Sequence, residues 1–141
     1  MNKFFYIIYF IVLVYIVWMI RGETDPDVMI NFVPFQTIRL YINAFIYGYA
    51  PTYIIIGNLV GNIILFLPLG LFIYTYAYQI GIVTLLFLSI YIPFYIEGVQ
   101  FLLYIAGYGT RSIDIDDVLL NMFGILLGYT IGYIKMKKQR K

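Results

Sequence analysis

The chain has 141 residues, of which 63% are hydrophobic and only 11% charged, and its mean hydropathy is +0.91. A soluble domain carries about 25% charged residues, so this composition excludes a soluble domain and predicts an integral membrane protein. Cysteine and histidine are both absent. Their absence excludes disulfides, thiolate metal sites and histidine acid–base chemistry. Any chemistry would have to come from carboxylates, amides, arginine or tyrosine.

The first apolar run covers residues 4–20 and is flanked by Lys3 and Arg21. It is just long enough for a membrane-spanning helix, for which about 20 residues are typical. The run ends in Trp-Met-Ile-Arg-Gly-Glu, which contains no small-residue cleavage pattern. A retained first helix is therefore favoured over a signal peptide.

Residues 21–52 form the one sizeable loop of the predicted fold. The loop opens with charged residues and becomes aromatic and apolar from Asn31 onward, with prolines at Pro34 and Pro51. A freely solvated loop would not be so apolar, so the pattern predicts an interfacial or re-entrant helix in this first loop.

Three further apolar segments predict membrane spans at about 53–78, 82–105 and 114–134. The link between the first two of these is short and uncharged, so their helices should pack antiparallel. The sequence thus predicts an all-α integral membrane protein with about four transmembrane helices. We interpret residues 1–141 as a single membrane domain ending in a basic tail at 135–141.

The distribution of charge predicts the orientation in the membrane. The tail carries five positive charges in seven residues, and Lys3 lies at the other end of the chain. With four spans both termini lie on one side, which the positive-inside rule makes cytoplasmic. All seven acidic residues then fall on the outer half, and so does the polar cluster described next.

The second predicted span carries Asn58 and Asn62, which are four residues apart and share one helix face. Two readings stay open for this pair. The amides could join helices together, as asparagine does in membranes, or they could contact a ligand.

The third predicted span places Pro93, Glu97, Gln100 and Tyr104 on one face, within an arc of roughly 60°. A carboxylate at membrane depth costs about 2.5–3.5 kcal/mol, so Glu97 should be paired or functional. It could form a structural ion pair with Arg111 or Arg39. Alternatively, it could be a pocket acid whose pKa is raised by desolvation.

The fourth predicted span begins with Asp114 and Asp117 and carries Asn121 on the same face. Carboxylates at a helix start cap free N–H groups, and we expect one of the three aspartates to do so. Asp116 points nearly opposite to Asp114, so we place it toward headgroups or solvent. A glycine series at Gly124, Gly128 and Gly132 follows, which predicts close helix packing.

Polar residues from three predicted helices fall at a similar depth. We therefore predict one convergent pocket open to the outer leaflet, formed by Asn58, Asn62, Glu97, Gln100, Arg111, Asp114, Asp117 and Asn121.

Several of these residues lie in motifs that resemble those of the VanZ-like family. The matching pieces are Asn31-Phe-Val-Pro-Phe35, the stretch Asn58–Gly70, Glu97-Gly-Val-Gln100, and the stretch Gly109–Gly124. This family consists of small membrane proteins named for a teicoplanin-resistance protein of Gram-positive bacteria. The resemblance implies a multi-pass protein of the bacterial cell membrane linked to reduced susceptibility to teicoplanin or related lipoglycopeptides. It implies no settled enzymatic reaction.

Three functional hypotheses follow. The first is a non-enzymatic binder that holds an envelope lipid or a lipoglycopeptide-like ligand in the outer pocket, with Arg111 and Arg39 meeting anionic groups. The second is an intramembrane enzyme acting on a lipid-linked envelope precursor. Glu97 would be its general acid or base, and Asp114 and Asp117 would hold a divalent cation. The third is a scaffold whose polar cluster only fixes helix packing. The bilayer is the expected partner, and no nucleic acid is expected.

Overall fold

The computed structural model describes residues 3–19, 30–108 and 113–139. The helices and two short strands are, in chain order, α1 (Lys3–Val14), which continues into a π-helical turn (Tyr15–Met19), β1 (Ile30–Asn31), α2 (Gln36–Tyr47), α3 (Thr52–Ala77), α4 (Ile82–Ile105), β2 (Ile113–Asp114) and α5 (Ile115–Gln139). The all-α class predicted from the sequence is confirmed.

Three helices, α3, α4 and α5, are long and apolar enough to cross a membrane. The first apolar helix, Lys3–Met19, is shorter, so the predicted count of four spans is not confirmed. Helix α2 has 12 residues, none of them buried. At 1.5 Å per residue it is roughly 18 Å long, which is too short to cross a hydrocarbon core of about 30 Å.

Helices α3 and α5 form the central pair of the fold, and glycines bring their backbones together. A Cβ at Gly128 would collide with the Leu67 carbonyl, and one at Gly124 would collide with the Ile63 carbonyl. On the α3 side, a Cβ at Gly70 would meet the Ile125 carbonyl. The glycine series of α5 therefore serves packing, as the sequence predicts.

Helix α1 packs against α3 mainly through aromatic rings. The rings of Tyr6 and Phe10 pack against the Phe72 ring in T-shaped arrangements, with ring centroids 4.9 and 5.2 Å from that of Phe72. Deeper along α1, the Tyr9 hydroxyl donates a hydrogen bond to the Leu65 carbonyl (2.9 Å). The start of α1 thus lies beside the end of α3, where Gly132 of α5 also packs against Tyr74.

Strands β1 and β2 join the first loop to the start of α5. They pair in parallel, with Ile30 opposite Ile113 and Asn31 opposite Asp114. Two residues per strand contribute little cohesion of their own. The strands matter for the fold because they bring Asn31 and α2 next to the acidic start of α5.

Candidate functional site

Asp114 caps the start of α5. Its Oδ1 accepts hydrogen bonds from the Asp116 backbone N–H (2.9 Å) and from Asn31 Nδ2 (2.9 Å). An aspartate directly before a helix satisfies free N–H groups in this way, so the predicted capping role belongs to Asp114. The same oxygen holds the first loop, because Asn31 also bonds Thr37 of α2 (3.0 Å).

Asp116 is fully buried, so its predicted position toward headgroups or solvent is wrong. Its two carboxylate oxygens accept the backbone N–H groups of Phe35 and Ile38 at the start of α2. A helical wheel of α5 alone cannot show this, because the partner comes from about 80 residues away in the chain. Asp116 thus caps a helix other than its own.

A small cavity lies among α3, α4, α5 and the π-helical turn. Its volume is about 20 Å³, which is room for about one water molecule. Five of the eight predicted pocket residues line it: Asn62, Glu97, Gln100, Asp117 and Asn121. The structure therefore brings these side chains together, but around a space too small for a lipid headgroup.

Hydrogen bonds across this cavity tie the helices to one another. Asn62 Nδ2 donates to Asp117 Oδ1 (2.6 Å), which joins α3 to α5. Gln100 Nε2 donates to the Val17 carbonyl (2.9 Å), which joins α4 to the π-helical turn. Asn121 is only 4% exposed, and its Oδ1 accepts no hydrogen bond within the described part of the chain. A single bound water would satisfy that oxygen.

The other predicted pocket residues lie elsewhere. Asn58 is exposed, and its amide donates to the Ile54 carbonyl of its own helix (2.9 Å). Asp114 lines different cavities, described below. Arg111 lies outside the described residues, and Arg39 is exposed and lines another cavity together with Pro34.

A groove lies beside α2, and we call it the α2 groove. Its volume is about 670 Å³, within the range of small-molecule sites. Polar side chains from α2, β1 and β2 lie among tyrosine rings and aliphatic side chains. The residues with polar groups are Asn31, Gln36, Thr37, Tyr41, Asn43, Tyr47, Tyr49 and Asp114.

An apolar cleft of about 160 Å³ lies between α4 and the start of α5. Three phenylalanines, Phe32, Phe94 and Phe101, form much of its wall. Glu97 and Asp114 are the two acidic residues that line it. Asp114 also lines the α2 groove, so this residue borders both the groove and the cleft.

Tyr41 lines the α2 groove, and nearby carboxylates place negative charge close to its hydroxyl. Burial raises the pKa of the Tyr41 hydroxyl, and the Asp117 and Asp114 carboxylates raise it further. A negative field of this kind opposes ionisation of tyrosine and favours neutral or cationic ligands.

Asp114 and Asp117, the two predicted metal ligands, form hydrogen bonds with different partners. Asp114 bonds Asn31 and the α5 backbone, whereas Asp117 bonds Asn62. Among the described residues, no three acidic side chains come together where they could hold a metal ion.

Sequence reasoning missed Asn31, Tyr41 and the capping role of Asp116. Asn31 opens the Asn31-Phe-Val-Pro-Phe35 motif, where its Oδ1 accepts the Val33 N–H (2.9 Å). An asparagine whose side-chain oxygen accepts the backbone N–H two residues later forms an Asx turn, and asparagine is a recognisable sequence signal for such a turn. Nothing in the sequence marks Tyr41 among the 16 tyrosines of the chain.

We expect Gln100→Ala to lower the stability of the protein by about 1–3 kcal/mol, because it removes a buried amide and leaves the Val17 carbonyl without this donor. Gln79→Ala is the matched control, since Gln79 is exposed and bonds the neighbouring Tyr78 hydroxyl. Thermal melting in detergent measures both variants. Equal melting temperatures would contradict a structural role for Gln100.

The fold and these contacts define an all-α membrane protein in which hydrogen bonds to the start of the last helix hold the first loop in place. The chain belongs to the VanZ/LLP1 family, whose model matches residues 4–136. The match covers nearly the whole chain and confirms the resemblance drawn from the motifs. No curated protein and no solved structure matches the chain.

Proposed function

We propose that this protein is a non-catalytic binder in the bacterial cell envelope, and that it holds an envelope lipid or a lipoglycopeptide-like ligand. The headgroup lies in the α2 groove and an apolar chain enters the adjoining cleft. Low-level protection against teicoplanin or related lipoglycopeptides is the proposed consequence. The function needs no cofactor and no catalysed reaction.

The observation that carries this proposal is that Asp114 borders both cavities. Asp114 borders a groove of about 670 Å³ that carries polar side chains in its walls and an apolar cleft of about 160 Å³. An amphiphilic ligand needs both environments side by side, since burying its polar part in an apolar site would cost free energy.

The interhelical polar cluster supports a different role from the one predicted. Its cavity holds about 20 Å³, and its amides bond across helices. We propose that this cluster is a scaffold that positions α5 and, with it, Asp114, the residue directly before α5 that lines the groove.

We also propose the orientation. The start of α1 and the basic end of α5 lie at the same end of the bundle, beside the end of α3. The positive-inside rule makes that end cytoplasmic, with Lys3–Met19 as a fourth span. The α2 groove then opens at the outer face, where exposed side chains such as Phe45 and Ile46 reach the lipid interface.

Filling the groove tests the function. Ala44 lines the groove and is half-buried, so Ala44→Trp places an indole where the headgroup would lie. We expect cells that express this variant to return to the teicoplanin susceptibility of cells without the protein. Minimum inhibitory concentrations measure the effect.

Ala106→Trp is the matched control, because Ala106 is exposed at the end of α4 and does not line the groove. It should protect as well as the unmodified protein. Full protection by Ala44→Trp at equal membrane abundance would rule out the α2 groove. If the unmodified protein neither protects cells nor binds teicoplanin or any envelope lipid in micelles, the binding function itself fails.

A further inference from the structure

The mostly buried Asp114 carboxylate lines the α2 groove. Asp114 is only 5% exposed, and its Oδ1 accepts both of its hydrogen bonds, from Asn31 Nδ2 and the Asp116 N–H. Within the described ranges, Oδ2 accepts no hydrogen bond, and no lysine or arginine pairs with the carboxylate. A positively charged ligand group stabilises a mostly buried carboxylate at the wall of a groove, so Asp114 suits a cationic partner.

The walls of the α2 groove suit the same partner. Tyrosine rings attract cations to their faces, and Tyr41, Tyr47 and Tyr49 all line the groove. The Tyr47 and Tyr49 rings are stacked, with centroids 5.6 Å apart. Among the described residues that line the groove there is no lysine or arginine to receive a phosphate or a carboxylate.

We infer that the α2 groove recognises a primary ammonium group, which donates a hydrogen bond to Asp114 Oδ2 while tyrosine rings lie alongside. This inference rests on the proposed function and names the chemistry that the groove selects. The ammonium group belongs either to a lipid headgroup or to a water-soluble amine. The amides of Gln36 and Asn43 remain for the uncharged polar groups of the same ligand.

Matched ligand pairs test the charge preference. Dihexanoyl phosphatidylethanolamine and dihexanoyl phosphatidylglycerol differ in whether the headgroup carries an amine. Ethanolamine and ethylene glycol repeat that comparison without a lipid. Each is titrated into the full-length protein in maltoside micelles, and binding is read from the change in melting temperature, because a ligand that binds the folded state stabilises it.

We expect each amine to bind about tenfold or more tightly than its amine-free counterpart, as a hydrogen bond between charged groups would give. Binding of phosphatidylethanolamine alone would assign the ammonium group to a lipid. Binding of ethanolamine as well would show that the amine suffices. Either pattern supports the inference.

Asp114→Asn removes the charge and keeps the cap. Asparagine retains an oxygen for Asn31 and the Asp116 N–H, and it is a favoured residue at this helix position. The variant should therefore melt near the temperature of the unmodified protein, while its Kd for phosphatidylethanolamine rises about tenfold or more.

Two outcomes would overturn the inference. One is equal affinity for the amine and amine-free members of each pair, and the other is an unchanged Kd in Asp114→Asn. If phosphatidylglycerol binds as tightly as phosphatidylethanolamine and Ala44→Trp abolishes both, the inference fails while the proposed binding function stands. If neither lipid binds and teicoplanin does not bind, both fail.

Discussion

Replacing Gly128 with leucine is expected to separate the central α3–α5 pair. A Cβ at this position would collide with the Leu67 carbonyl and lie 3.1 Å from Gly70 Cα. Both obstacles are backbone atoms of a helix, so no side-chain rotation can relieve the clash. Overpacking a core costs about 1–3 kcal/mol even where side chains can adjust, and the loss here should be at least that large.

The measurement for Gly128→Leu is thermal melting in detergent, together with the fraction of protein that elutes as a single species. Gly57→Leu is the control, because Gly57 is on α3 but a Cβ there would meet no neighbouring side chain or helix of the described residues within 4 Å. It should melt near the temperature of the unmodified protein. A Gly128→Leu variant that melts as high as Gly57→Leu would show that the two helices do not touch at this point.

The helices could be predicted from the sequence because the signal for each is local. An apolar stretch of sufficient length is stable as a helix in lipid whatever its neighbours are. The glycine series of α5 lies within one helix, so its packing role could be predicted from the sequence. Gly70, its counterpart on α3, could not be assigned in the same way, because the pairing of two helices depends on residues far apart in the chain.

The candidate site was predicted only in part for a related reason. Periodicity assigns Asn62, Glu97, Gln100, Asp117 and Asn121 to inward faces, and the structure brings them together. Periodicity does not give the space left between those faces, which is about 20 Å³ rather than a ligand-sized pocket. The larger groove depends on where α2 docks. Asp116 holds the start of α2 directly, and Asp114 holds it through Asn31, which also bonds Thr37.

These contacts also explain why three aspartates stand within four residues. Asp114 caps α5, Asp116 caps α2, and Asp117 bonds Asn62 of α3. Each carboxylate thus holds a different helix. The acidic start of α5 is therefore the joint of the fold, and one of its carboxylates, Asp114, lines the proposed ligand groove.

Asp116→Ala should release α2 from this joint. The carboxylate accepts the N–H groups of Phe35 and Ile38, and removal would leave both at the start of α2 without their acceptors. Phe35 also adopts a left-handed backbone conformation (φ 66°), which is unfavourable for a residue with a side chain. With its anchor gone, Phe35 should relax to an ordinary conformation, so the first turn of α2 should open. We expect a loss of about 2 kcal/mol or more.

Amide hydrogen exchange distinguishes this local release from general unfolding. In Asp116→Ala, exchange at Phe35 and Ile38 should accelerate, while amides in the middle of α3 and α5 keep their protection. Asn58→Ala is the control, since Asn58 is exposed and its amide bonds a carbonyl of its own helix. Unchanged exchange at Phe35 and Ile38 would mean that α2 holds its position without Asp116.

Because α2 forms a wall of the groove, faster exchange there should be accompanied by weaker binding of every ligand that the groove accepts, charged or neutral. Asp114→Asn, by contrast, should weaken only the amines.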